Sequence, residues 1–215
     1  MTLAGGALLI GGMKVRATKK IALIGDMIRT GYQPDVSNYL VNKAEIWGPE
    51  IDVVNTVSIL QNLKDWIQST HYDIIHINSG LNDLRILDYN GNDNLIPLEF
   101  YLKNVERIIK SINRYSPQSV IVWATTTPVV NEIFNVFHQN QQDYQLKNED
   151  VIRYNDSSLQ IASRLGVAIN DLYSYIMTGD PGLIIQEDGV NYTEYGNELL
   201  AERITAVLEK IIDNQ

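Results

Sequence analysis

The chain contains no cysteine. Disulfides, thiolate metal sites and cysteine nucleophiles are therefore excluded. Histidine is scarce as well. His71, His76 and His138 are scattered and make no metal-ligand spacing. Positive charge is in short supply: 17 Lys and Arg face 26 Asp and Glu, for a formal net charge of −9. Phosphate backbones are held by clustered Lys and Arg, so no nucleic-acid partner is expected. The apolar stretch Leu3 to Met13 is too short to span a bilayer. Its positive charges (Lys14, Arg16, Lys19, Lys20) follow the apolar run, whereas a secretory signal carries them in front. No membrane span is expected. A cytoplasmic location is the main expectation, and secretion the other reading. A Gly-rich nucleotide loop is also missing, and no cofactor is expected.

What is present suits one globular domain. At 215 residues with 45% hydrophobic content, the chain is long enough for a full core. Residues 1–17 are read as a flexible leader and 18–215 as a single domain. Short apolar runs at Lys20 to Gly25, Ala44 to Trp47, Asp73 to Asn78, Ser119 to Thr125 and Val167 to Asn170 read as buried strands. Amphipathic helices are expected between them: Asp35 to Lys43 after Pro34, Ser58 to Gln68, Pro97 to Tyr115 and Asn148 to Leu165. A last helix, Thr193 to Ile212, is capped by Thr193. Asn131 to Lys147 is polar and Gln/Asn-rich and reads as an excursion or lid. This alternation predicts an α/β fold: a three-layer α/β/α sandwich around a central parallel five-stranded sheet. The loops after the strands would bring Asp26, Gly80, Thr125 and the Asp188 loop to one edge.

Three segments on that edge carry a pattern. Gly25-Asp26-Met27-Ile28-Arg29-Thr30-Gly31-Tyr32 follows the first strand. Asn78-Ser79-Gly80-Leu81-Asn82-Asp83 follows the third. Asp188-Gly189-Val190-Asn191-Tyr192-Thr193-Glu194-Tyr195-Gly196 opens the last helix. Together they resemble the motif blocks of the SGNH (GDSL) hydrolases, which use a flavodoxin-like α/β fold. In that family the blocks read Gly-Asp-Ser, Gly-x-Asn-Asp and Asp-x-x-His. The resemblance covers roughly Lys20 to Ile212. It implies that Met27 stands where the nucleophilic Ser would be and Asn191 where the base would be. Asp188 keeps the orienting-acid position, and Asn82 that of the side-chain oxyanion donor.

The chemistry of the two exchanged residues is decisive. A thioether cannot be deprotonated to attack a carbonyl, and an amide neither takes nor gives a proton near neutrality. Thr30, one helical turn on, is a poor substitute nucleophile. His76 lies in an apolar strand and reads as a core histidine rather than a replacement base. The family's second block supplies a glycine N–H to the oxyanion site. The corresponding stretch here, Pro49 to Val57, has no glycine.

The resemblance therefore implies an ester-hydrolase scaffold without its ester chemistry. Its cleft would bind a small ester-like or glycan ligand, or a protein partner. Met27, Arg29, Tyr32, Asp83 and Tyr192 are the candidate ligand-binding residues. Two alternatives stand beside this. Asp26, Asp83 and Asp188 could serve non-hydrolytic acid/base chemistry such as isomerisation or cyclisation. Or the parent is an esterase or acetyl-esterase inactivated by substitution.

Overall fold

The computed structural model describes residues 18–50, 54–87, 91–137 and 144–214. The expected leader (1–17) and His138 lie outside them. Among the described residues, seven strands form two sheets. β1 (Lys19–Ile24), β2 (Ala44–Trp47), β3 (Ile74–Asn78), β5 (Val120–Ala124) and β7 (Ala168–Asn170) make the main one. It is wholly parallel, in the order β2-β1-β3-β5-β7. β3 is buried along its whole length and β1 over its last four residues, which is why both read as apolar runs.

Four crossover helices connect these strands: α1 (Met27–Tyr39), α2 (Thr56–Ile67), α3 (Leu98–Tyr115) and α5 (Asn148–Arg164). The chain steps one way from β1 to β2 and then the other way to β3, β5 and β7. Right-handed crossovers put α1 on one face and α2, α3 and α5 on the other. The C-terminal helix α8 (Glu194–Asp213) packs on α1, and α3 packs on both α2 and α5. The expected three-layer sandwich with a five-stranded parallel sheet is what the chain forms. The order reverses between β1 and β3. A parallel sheet opens a crevice at such a point, beyond the carboxyl ends of the strands. The loops holding Asp26 and Gly80 both start there.

Several local readings need correction. α1 begins at Met27, eight residues before the expected Asp35, and Pro34 lies inside it. Asp26 supplies the cap that starts it. Pro34 is exposed, so the lost N–H and the ring clash are accommodated on the solvent side. The Asn131 to Lys147 excursion is partly regular. It contains α4 (Asn131–Phe137) and β6 (Tyr144–Gln145), which pairs antiparallel with β4 (Ile86–Leu87). Two further short helices, α6 (Leu172–Ile176) and α7 (Pro181–Ile184), carry the chain back towards α8. Among the described residues no helix is long and apolar enough to cross a membrane.

Candidate functional site

Asp26 leaves β1 in extended backbone and caps α1. Its Oδ1 accepts from the Ile28 N–H at 3.0 Å. The residue has no exposed surface, and its Oδ2 has no hydrogen-bond partner. Burial raises its carboxyl to a pKa of about 6, against the lowering effects of the Ile28 N–H and the Arg29 charge. Met27 is the first residue of α1 and is half-buried against the core. Thr30 turns its hydroxyl back to Asp26 O at 3.4 Å. Arg29 reaches Pro49 O at 2.6 Å and Gln33 Oε1 at 3.0 Å, tying α1 to the end of β2. Tyr32 has no exposed surface, and burial pushes its hydroxyl pKa up.

The loop after β3 braces its neighbours. Asn78 donates to Thr125 O at 2.7 Å. Gly80 has φ +157°, and a Cβ there would run into the Thr126 hydroxyl. Asn82 Nδ2 donates to Val54 O at 3.1 Å, while Oδ1 has no partner. Asp83 accepts from the Thr56 N–H at 3.1 Å and from its hydroxyl at 2.5 Å. Burial moves the Asp83 pKa up to about 7. The Thr56 bonds pull it down, and the charge of Asp26 pushes it further up. Of the stretch expected to supply an oxyanion N–H, residues 51–53 lie outside the described set. The Asn55 N–H is engaged by Ser58 Oγ and the Thr56 N–H by Asp83.

Asp188 organises the third segment as a tight turn. Its Oδ1 accepts from the Val190 N–H at 3.0 Å and the Asn191 N–H at 2.8 Å. Its Oδ2 accepts from Asn191 Nδ2 at 2.5 Å. Gly189, at φ +77°, accepts at its carbonyl from the Val130 N–H at 2.8 Å, and a Cβ would meet the Phe134 backbone at 2.6 Å. Tyr192 is buried beside Thr127 and within reach of the Asp26 charge. Thr193 caps α8 through the Gly196 N–H at 3.0 Å, as expected. Asn197 lies against Gly31, so the first and last segments meet where α8 crosses α1.

The structure thus gathers the segments at one sheet edge but does not expose them equally. Asp26, Tyr32 and Asp83 have no exposed surface, and Arg29 and Tyr192 have almost none. A ligand could touch these five only if the enclosing elements parted. Met27, Asp188 and Asn191 remain half-exposed.

His76 is fully buried, with Nε2 3.2 Å from Asn170 Nδ2. Burial lowers its pKa to about 4. It is a core histidine, and its ring meets Asn170, which in turn accepts from Arg203. One residue was missed. Arg85, two positions after Asp83, is half-buried, stacks its guanidinium 4.4 Å from the Tyr144 ring, and acts electrostatically on Asp26. Its position follows from the β4–β6 pairing, for which two-residue strands leave no sequence signal. Among the described residues no cluster of three His, Asp or Glu could hold a metal.

Comparison with known proteins agrees with this arrangement. The family model for GDSL-like lipase/acylhydrolase matches residues 19–204, and the chain belongs to that family. Among solved structures, the lipase/acylhydrolase from Enterococcus faecalis is similar at TM-score 0.74 and 17% identity, over 90% of this chain and 96% of that one. Axe2, an acetylxylan esterase from Geobacillus stearothermophilus, is similar at 0.67 and 17%, over 93% and 96%. The acetyl xylan esterase AlAXEase is similar at 0.68 and 16%, over 88% and 99%. Identities this low establish the shared fold. Among curated proteins no match is found.

Proposed function

We propose that this GDSL-family chain does not perform Ser-His-Asp ester hydrolysis and instead binds a small ester-like or glycan ligand beside Met27 and Asn191. One observation carries the reading: the Asp188 carboxylate, which would orient a basic imidazole, is bonded at 2.5 Å to the Asn191 amide. An amide in that place cannot accept a proton from a nucleophile. Met27 offers no hydroxyl to activate, and Thr30 is bonded away to the backbone. The similar folds of two acetylxylan esterases support an acetylated glycan as the ligand class to try first. Acid/base chemistry by Asp26 or Asp83 is not adopted. Their raised pKa values suit a general acid, but neither carboxyl has surface on which to meet a substrate.

The test is turnover of p-nitrophenyl acetate together with calorimetric titration of acetylated xylo-oligosaccharides. Wild-type protein is expected to hydrolyse the ester at background rate and to bind the glycan. Loss of triad members costs on the order of 10⁴ to 10⁶ in turnover. Ester turnover that disappears in Asn82→Ala would overturn the reading. The double variant Met27→Ser with Asn191→His separates an inactivated esterase from a remodelled site. Recovered turnover would show that the oxyanion donors are still in place.

A further inference from the structure

The main sheet ends in an open edge far from Met27. β7 is last in the strand order, and no described residue pairs with its outer side. The Thr125 N–H donates to Asn170 O at 3.1 Å, so the peptide groups of Asn170 face inward to β5. Peptide groups alternate in direction along a strand, which turns the N–H and C=O of Ile169 outward. Ile169 is also 38% exposed. Alongside runs one stripe of α8, with Arg203, Val207, Lys210 and Ile211 at steps of four, three and one. Together with Ala168 and Ile169 these side chains line a groove of about 400 Å³.

The charge on this groove runs against the charge of the chain. The net charge is −9, yet the groove presents Arg203 and Lys210. The acids of α8 face elsewhere: Glu209 pairs with Lys43 at 2.5 Å, and Glu198 and Glu202 act on Tyr39. Arg203 is held in place by Asn170 Oδ1 at 3.1 Å. An apolar floor, cations on the rim and one outward-facing peptide unit match a strand that carries carboxylates.

We propose that the β7–α8 groove docks an extended acidic segment of a partner protein, which adds to β7 as a sixth strand. A second copy of this chain is the wrong occupant. Two-fold pairing of β7 with itself would bring Arg203 and Lys210 of one copy towards the same cations of the other. Carboxylates on an incoming strand meet those cations with the opposite sign.

A random octapeptide display library selected on the full-length protein tests this. Enriched peptides should alternate apolar and acidic residues. A synthetic copy, read by fluorescence anisotropy, should bind roughly tenfold more weakly to Lys210→Glu and to Val207→Asp. Circular dichroism checks that both variants are folded; Lys210 is exposed, whereas Val207 is half-buried against the core, so Lys210→Glu carries the test if Val207→Asp fails to fold. The proposal is overturned by an absence of enrichment, by enrichment of basic peptides, or by binding that neither substitution weakens. It is also overturned if light scattering shows a dimer that Lys210→Glu dissociates, because the groove would then be a self-interface.

Discussion

Moving the protein from pH 8 to pH 5 is expected to stabilise it, by an amount that three buried groups decide. Asp83 and Asp26 have ordinary values of 3.8 and fold to about 7 and about 6. A carboxyl raised in this way holds its proton more tightly when folded. Its stabilising contribution is complete below the unfolded value and is lost as pH rises through the folded one. Between pH 5 and pH 8 the linkage amounts to roughly 2–3 kcal/mol for Asp83 and about 1–2 kcal/mol for Asp26, at ~1.4 kcal/mol per pKa unit. His76 opposes them. Its value falls from 6.5 to about 4, so its contribution is present above 6.5 and is lost as pH falls through 4. At pH 5 it has already withdrawn about 2 kcal/mol. The net expectation is a protein more stable at pH 5 by about 2 kcal/mol. Urea unfolding at the two pH values, followed by the fluorescence of buried Trp123, measures it directly. In Asp83→Asn the gain should vanish, because Asp26 and His76 nearly cancel. Equal or lower stability at pH 5 in the wild type, or an unchanged slope in Asp83→Asn, would refute the reasoning.

Other substitutions probe the framework around the edge. Pro34→Ala returns an N–H to the interior of α1 and should raise stability by about 2 kcal/mol, seen as a higher urea midpoint. Gly196→Ala places a methyl against the Ile184 carbonyl where α8 begins. It should cost about 1–3 kcal/mol in the same assay. Thr193→Ala removes the cap to the Gly196 N–H and should lower stability by about 1 kcal/mol.

The parts that could be read from the chain are those whose cause is local. The central strands β1, β3 and β5 are buried over most of their length, so their apolar runs stand out without context. Thr193 announces α8 by side-chain chemistry alone, and Gly166, at φ +68°, marks the end of α5 in the same way. Where cause was distant, reading failed. Pro34 looks like a helix start, but the start is set by Asp26, whose capping bond only the strand-to-helix turn creates. The burial of Asp83 depends on Thr56, and that of Arg29 on Pro49, partners that no spacing rule identifies. The motif residues could therefore be found by type, whereas their accessibility could not. Asn82 shows the difference most clearly. Its position was legible, and its bond to Val54 was not.

The Asp188 turn is largely self-supporting. Two of its three bonds come from backbone N–H groups, and these persist whatever side chain occupies position 191. The loop keeps its shape without a base to orient. The turn has its own structural reason to persist, and it does not depend on the side chain at position 191. A single carboxylate thus holds the entry to α8 in shape through backbone N–H groups, and an exchange at position 191 leaves the scaffold in place.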